Sequence, residues 1–432
     1  MLNRRQMMAA GAGAALIAGL PTISFSAPMP GFTQTRGGAG GAVIHVTTLA
    51  ASGPGSLREA IETQGPRIVV FDVGGIIDLD KKTLGVREPF LTIAGETAPG
   101  PGITLIRGEM SVQSHDVIIR HLMVRPGDAG APKHSGFEPD GLTTSKARDV
   151  IIDHCSFTWS VDECLSASGP RFDGGDTVDA WRAHTSSNVT FSNNLVARAL
   201  RDASHSKGPH SMGSLIHDNV TGVLVTGNLY ADNNERHPLM KGGAMAAVVN
   251  NVFVNPGHTC GQYTLVEDQW IPLGHQPVAG RLALVGNVLR AGGNTPKGLA
   301  MLTFGGAGDL DLHADDNIAT QADGSPAPII GYYQAKADGM TDAGPYVPKA
   351  WIRSMPRESY WPQGVTAIPA AKTEAHVYAH CGARPWARDP IDQRIIDEAR
   401  AGSGRLIDSQ DEMGGYPVRP AVTKVFKGHI TA

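Results

Sequence analysis

Val223-Leu224-Val225-Thr226-Gly227-Asn228 is a short β-prone run that breaks at a turn and closes on asparagine, and the same construction recurs along the chain. Val150-Ile151-Ile152-Asp153-His154-Cys155 and Val189-Thr190-Phe191-Ser192-Asn193-Asn194 precede it. Ala247-Val248-Val249-Asn250-Asn251 and Leu282-Ala283-Leu284-Val285-Gly286-Asn287 follow it. Val117-Ile118-Ile119-Arg120-His121-Leu122 is an earlier copy, and Asp315-Asp316-Asn317 a poorer late one. Successive copies lie about 23 to 39 residues apart, the spacing of solenoid coils with loops of variable length on one side. Asn194, Asn228, Asn251 and Asn287 fall at one place in the repeat, so stacked coils would set amide over amide at a turn that tolerates left-handed backbone. Apolar residues on both sides of that turn would point into a narrow core, with strands of successive coils satisfying one another's backbone groups. The fold expected is all-β: a right-handed, single-stranded parallel β-helix with short capping helices and long loops on one flank.

The ends of the repeat carry caps. Ser56-Leu57-Arg58-Glu59 has the spacing of a capping box and predicts a short helix through Ile61 over the first coil. Asp389 followed by Pro390 starts a second helix, with Ile391, Ile395, Ile396 and Ala399 on one face and Gly402 at its end. Between about 320 and 388 the chain is rich in Pro, Gly and Ala and reads mainly as loop. Residues 28–432 are therefore read as one β-helix domain with a loop and helix extension from about 320.

Residues 1–27 read as an export signal. Asn3-Arg4-Arg5-Gln6-Met7-Met8 opens with paired arginines, Ala9 to Leu20 is apolar, and small residues follow to Ala27. The paired arginines suggest the twin-arginine route, and the apolar run is too short to span ~30 Å of hydrocarbon. The expected address is periplasmic or secreted, with no membrane association once the signal is removed.

The 432-residue chain has a net charge of −4, which becomes −6 without Arg4 and Arg5. A net-negative protein does not draw in nucleic acid or acidic glycans by its overall field, so a polyanion needs a local basic cluster or a bound cation. Cys155, Cys164, Cys260 and Cys381 show no metal-site spacing, and disulfides and buried free thiols are both open to them.

Asp140, Asp162 with Glu163, Lys207, Arg236 and Lys241 each lie near a successive β-run. A β-helix would gather them on one flank although they span about 100 residues. Carboxylates on neighbouring coils suit an oxygen-liking cation such as calcium. Arg236-His237-Pro238-Leu239-Met240-Lys241 sets two cations around a proline, and an extended path would face both into one groove. Lys207 sits one coil earlier, in the Gly/His/Ser-rich stretch from Ser204 to Ser214.

From about Gly37 to Asn255 the chain resembles polysaccharide lyase family 1, the pectate lyases. Val150-Ile151-Ile152-Asp153-His154 resembles that family's Val-Trp-Ile-Asp-His signature, and Arg236 to Lys241 resembles its Arg-x-Pro-x-x-Arg segment. Pro66 to Phe71, Leu91 to Gly95 and the tail around Ile407 to Glu412 are similar to the corresponding parts of such lyases. The resemblance implies that Asp140 and Asp162 bind calcium, that Lys207 and Lys241 bind substrate, and that Arg236 is the catalytic base. Thr158 stands where a third calcium carboxylate is expected; Glu163 is the candidate replacement, although adjacent strand residues point to opposite sides. The activity implied is calcium-assisted β-elimination of pectate-like 4-linked galacturonan to 4,5-unsaturated oligogalacturonides, by a monomer acting on acidic polysaccharide. The alternatives are a polygalacturonase-like β-helix hydrolase, drawing its carboxylates from Asp140, Asp153 and Asp162, and a non-catalytic solenoid that grips acidic polysaccharide.

Overall fold

The computed structural model describes residues 22–24, 29–306, 308–335, 341–344 and 351–431. Three long sheets of ten, ten and eleven strands are parallel except at two edge pairs, Ile330–Ala335 with Thr341–Gly344 and Val73–Asp78 with Val422–Thr423. The assigned export signal lies outside the described residues apart from Thr22–Ser24, which pairs with His429–Thr431. One coil runs through Arg148–Asp153, Ser156–Thr158 and Leu165–Ser168; the next runs through Ser187–Ser192, Leu195–Ala197 and Leu215–Ile216. Register is held by the apolar pattern: Val150 faces Val189, Val223, Ala246 and Leu282 in turn, and Ile152 faces Phe191, Val225, Val248 and Leu284. These side chains are buried, so slipping one strand by a residue would expel its whole inward set.

The asparagines form the expected ladder, and it is one rung longer. Asn194 donates its amide to Asn228 Oδ1 at 3.0 Å, Asn228 to Asn251 at 2.9 Å, Asn251 to Asn287 at 3.0 Å, and Asn287 to Asn317 at 3.0 Å. The left-handed residues are the neighbours that precede them: Asn193, Gly227, Asn250, Gly286 and Asp316, at φ 53°, 67°, 53°, 69° and 47°. Those residues turn the corner, which frees the next side chain to bond along the stack. Cys155 occupies the equivalent place one coil earlier, and its backbone amide donates to Asn194 Oδ1 at 2.8 Å.

Helix α1 (Leu57–Glu62) is capped as expected by Ser56, but the Glu59 carboxylate reaches Gly55 N–H at 2.7 Å, one residue outside a capping box. Its Leu57, Ala60 and Ile61 are buried. Helix α2 (Val178–Ala183) lies in a loop. The stretch read as loop contains an eleven-residue helix, α3 (Ala370–His380), with no side-chain cap. Its signal is faint because the apolar positions are mostly alanine. Helix α4 (Pro390–Ala401) keeps its expected bounds, with Asp389 accepting from Asp392 N–H and Gly402 left-handed at φ 69°.

Helix α4 is pinned to the solenoid by Arg125, fully buried in the strand Leu122–Arg125. Its guanidinium meets Asp389 at 2.6 and 3.0 Å and Asp392 at 2.8 Å. The four cysteines are all unpaired and buried. Burial pushes the Cys164 and Cys381 thiols up to about 12 and raises Cys155 and Cys260 as well, so all four act as packing groups.

Candidate active site

Stacking brings distant residues together because equivalent positions of successive coils sit side by side. Glu163 bridges to Met212, and Met212 to Glu235, each in parallel register. Arg236 therefore arrives beside Glu163, and its guanidinium ion-pairs with Glu163 Oε1 and lies 3.9 Å from Asp162 Oδ1. Asp140 comes from the coil before: its Oδ1 accepts from Glu163 N–H at 3.1 Å, and its own N–H donates to Glu109 at 3.0 Å. Carboxylate oxygens of Asp140, Asp162 and Glu163 all lie within 4.8 Å of one another.

Glu163 thus joins the cluster, against the alternation argument. Residues 161–162 form a bend and 163 an isolated bridge, so the period of a strand does not govern where their side chains point. Thr158 is buried in the strand Ser156–Thr158 and is not part of the patch.

Arg236 has a left-handed backbone at φ 68°, uncommon for a residue with a Cβ. Its carbonyl accepts from Ser214 N–H at 2.7 Å. Gly213 permits that approach, since a Cβ there would lie 2.4 Å from the Arg236 oxygen.

The patch splits its own acids. Burial, reinforced by the charges of Asp162 and Glu109, holds Asp140 well above the usual carboxylate range. Burial alone would raise Asp162 too, but His210, Arg236 and His205 outweigh it and hold it below its ordinary value. Burial lowers the Arg236 guanidinium, with Asp162 and Asp140 pulling the other way.

Among the described residues, neither lysine ion-pairs with the acids of this patch. Lys241 pairs with Asp218 at 3.1 Å and donates to Gln269 at 2.8 Å, while Asp218 also pairs with Arg171 at 3.0 Å. Burial lowers Lys241 against the pull of Asp218. Arg236 and Lys241 each have their own carboxylate, Glu163 and Asp218, and the Arg236 charge still reaches Lys241 and helps to lower it. Lys207 is exposed, and among the described residues its ammonium has no ion-pair partner. Sequence reasoning missed His205 and His210, which approach the Asp162 oxygens at 3.5 and 3.4 Å. Two histidines five residues apart around Lys207 were the available signal. Asp153 takes no part; it is bonded to His154, Ser192 and Asn193.

No family model matches the chain. It is 37% identical over 222 residues to the probable pectate lyase C of Emericella nidulans, covering 51% of this chain and 45% of that one. It is 30% identical over 389 residues to the probable pectate lyase C of Neosartorya fischeri, covering 88% of this chain and 78% of the relative. Among solved structures, the cedar pollen allergen jun a 1 superposes with a TM-score of 0.53 at 15% identity, over 82% of this chain and 92% of that one. A pectate lyase bound to a hexasaccharide superposes with a TM-score of 0.51 at 12% identity, over 82% and 95%. With the three-sheet solenoid, these likenesses define the class as a parallel β-helix polysaccharide lyase. Within it, the chain belongs to the pectate lyase family. Membership displaces both the hydrolase and the non-catalytic alternatives.

Proposed function

We propose that this enzyme cleaves pectate-like, 4-linked galacturonan by calcium-assisted β-elimination, leaving 4,5-unsaturated oligogalacturonides. The observation that carries the reading is the meeting of Arg236 with Asp140, Asp162 and Glu163 on one flank. Elimination removes the C5 proton, forms the C4–C5 double bond and breaks the C4–O bond, with the leaving oxygen taking a proton. Arg236, in its neutral form, accepts the C5 proton. An ordinary guanidinium holds its proton too tightly for this; burial moves Arg236 in the required direction.

The carboxylates fit a calcium ion. The donor set of Asp140, Asp162 and Glu163 is all oxygen, as a hard cation prefers, and Asp162 Oδ1 is buried without a hydrogen-bond partner. The high Asp140 carboxyl is the mark of a patch short of positive charge. When bound there, calcium supplies charge that steadies the C6 carboxylate as the C5 proton leaves. With Glu163 engaged as a ligand, Arg236 loses the counter-charge that favours its protonated form. Lys207 is free to meet a substrate carboxylate, whereas Lys241 does so by exchanging Asp218 for the sugar acid.

The reading includes export by the twin-arginine route and action as a monomer on acidic polysaccharide, without nucleic acid. Among the described residues no helix is long and apolar enough to cross a membrane. The test is the ultraviolet absorbance of unsaturated uronate released from polygalacturonate, with calcium and with chelator. Arg236→Lys is expected to lower kcat by at least about 100-fold, the scale of a lost general base. Near-normal turnover by that variant would remove Arg236 from the base role, and full turnover in chelator would remove calcium.

A further inference from the structure

Asp162 also faces a second donor group, of different chemistry. His205 and His210 stack with ring centroids 3.5 Å apart and planes at 17°, and the Nε2 of each approaches Asp162. His210 Nε2 lies 3.4 Å from Asp162 Oδ1, and His205 Nε2 lies 3.5 Å from Asp162 Oδ2. These separations exceed the roughly 2.7–3.2 Å of a hydrogen bond. They equal the spacing of two ligands on one tetrahedral ion, about 3.3–3.5 Å for bonds of about 2.0–2.2 Å. His205 is only 1% exposed, and its Nε2 has no hydrogen-bond partner; Asp162 Oδ1 is likewise buried and unpartnered.

We propose that Asp162, His205 and His210 bind a first-row transition-metal dication such as zinc or cobalt. One ligand atom from each lies within 4.8 Å of the others. Two imidazoles and a carboxylate make a borderline donor set that such ions favour, unlike the all-oxygen set that Asp162 shares with Asp140 and Glu163. His210 is already oriented for it. Pro209 O lies 3.2 Å from its Nδ1 and can only accept, so Nδ1 keeps a proton, and the Nε2 that faces Asp162 gives up its own when metal binds. His205 needs two adjustments: its ring swings out of the stack, because near-parallel imidazoles 3.5 Å apart cannot both aim an in-plane lone pair at one ion, and its proton moves, because Lys207 N–H donates to Nδ1 at 3.1 Å and places the ring proton on Nε2. Metal uptake shifts that proton to Nδ1 and turns the Lys207 amide away, with no net proton released by the ring. Three protein ligands leave a tetrahedral ion one open position, filled by water or by a sugar oxygen. Arg236, 3.9 Å from Asp162 Oδ1, is the competing cation.

The site stands independently of the elimination mechanism, so it is tested without substrate. Metal-stripped full-length protein is titrated with Co2+ by calorimetry and visible absorbance. The wild type is expected to take one Co2+ that Zn2+ displaces. His210→Gln should weaken uptake at least about tenfold, the usual scale for losing a metal-shell group, while Asp140→Asn should leave it within about threefold. Absence of Co2+ binding, unchanged binding in His210→Gln, or equal losses in the two variants would overturn the proposal. Zinc-soaked wild-type crystals give a readout that needs no variant: an anomalous peak among His205, His210 and Asp162 supports the site, and a peak elsewhere or none sinks it.

Discussion

Replacing Arg125 by methionine should unlatch the C-terminal helix without unfolding the solenoid. Arg125 is wholly buried, and its partners Asp389 and Asp392 are 2% and 1% exposed. Its charge and hydrogen bonds overcome the effect of burial and hold Asp389 at about 2, whereas burial and the Asp389 charge push Asp392 up to about 6. Without the Arg125 guanidinium, Asp389 keeps Arg419 at 3.0 Å but Asp392 loses its cation, and breaking such a buried pair costs about 3–5 kcal/mol. Both acids sit at the first turn of α4, so the loss falls on the docking of that helix. Opposing it, buried Ile395 and Ile396 contribute about 1.5–3 kcal/mol each. The two terms are equal in size, so α4 should open locally.

Hydrogen exchange reads this directly. At about 1.4 kcal/mol per tenfold, amides of residues 391–401 should exchange about 100- to 1000-fold faster in Arg125→Met, while those of the central coils stay protected. The variant carrying Arg125→Met, Asp389→Asn and Asp392→Leu should recover most of the protection. Asparagine still accepts from the residue 392 amide, as Asp389 does now at 2.8 Å, and no buried charge remains. Exchange within about threefold of wild type in the single variant would refute the reasoning, as would a triple variant as open as the single.

Gly213→Ala should displace Arg236, because the added Cβ meets its carbonyl at 2.4 Å; turnover should fall at least about tenfold with the fold intact by circular dichroism. Asn251→Ala removes the middle of the ladder, leaving the Asn228 amide and Asn287 Oδ1 without their side-chain partner, and should cost about 3 kcal/mol in denaturant unfolding. Burial depresses the His237 ring to about 4, below an unfolded value near 6.5. Its stabilising contribution is therefore complete above about pH 6.5 and is lost as pH falls to about 4, some 3 kcal/mol in all, and His237→Met should flatten that acid limb in melts recorded against pH.

The repeat was legible because one geometric place, the residue after the corner, must satisfy the same bonds in every coil, and asparagine does so from Asn194 to Asn317. Helix α4 was legible because Asp389, Pro390 and Gly402 each answer a fixed backbone demand at its ends. Helix α3 was not, since its position is set by packing against the strands Val252–Val254 and Val288–Arg290. The site divided along the same line. Asp140, Asp162 and Arg236 each follow or lie near successive strands, which is why their meeting was legible, whereas strand alternation misplaces Glu163, which follows the bend at 161–162. The partners that claim Lys241, Asp218 and Gln269, come from neighbouring loops, and no local pattern announces a contact made across coils.

Asp162 is where these demands meet. One side of its carboxyl faces Arg236 and the oxygen cluster, and both its oxygens face the imidazole pair. A carboxylate with so many claimants couples them: positive charge added on either side weakens the hold of the others by the same free energy. A protonated Arg236 competes with a bound cation for Asp162 and Glu163, and loss of the guanidinium proton frees both acids. Cation binding and the basic form of Arg236 must then favour each other, each gaining ground as pH rises. On the proposed mechanism, this linkage is the route by which a buried arginine paired with glutamate reaches the form that takes a proton, which neither burial alone nor the carboxylates alone would provide.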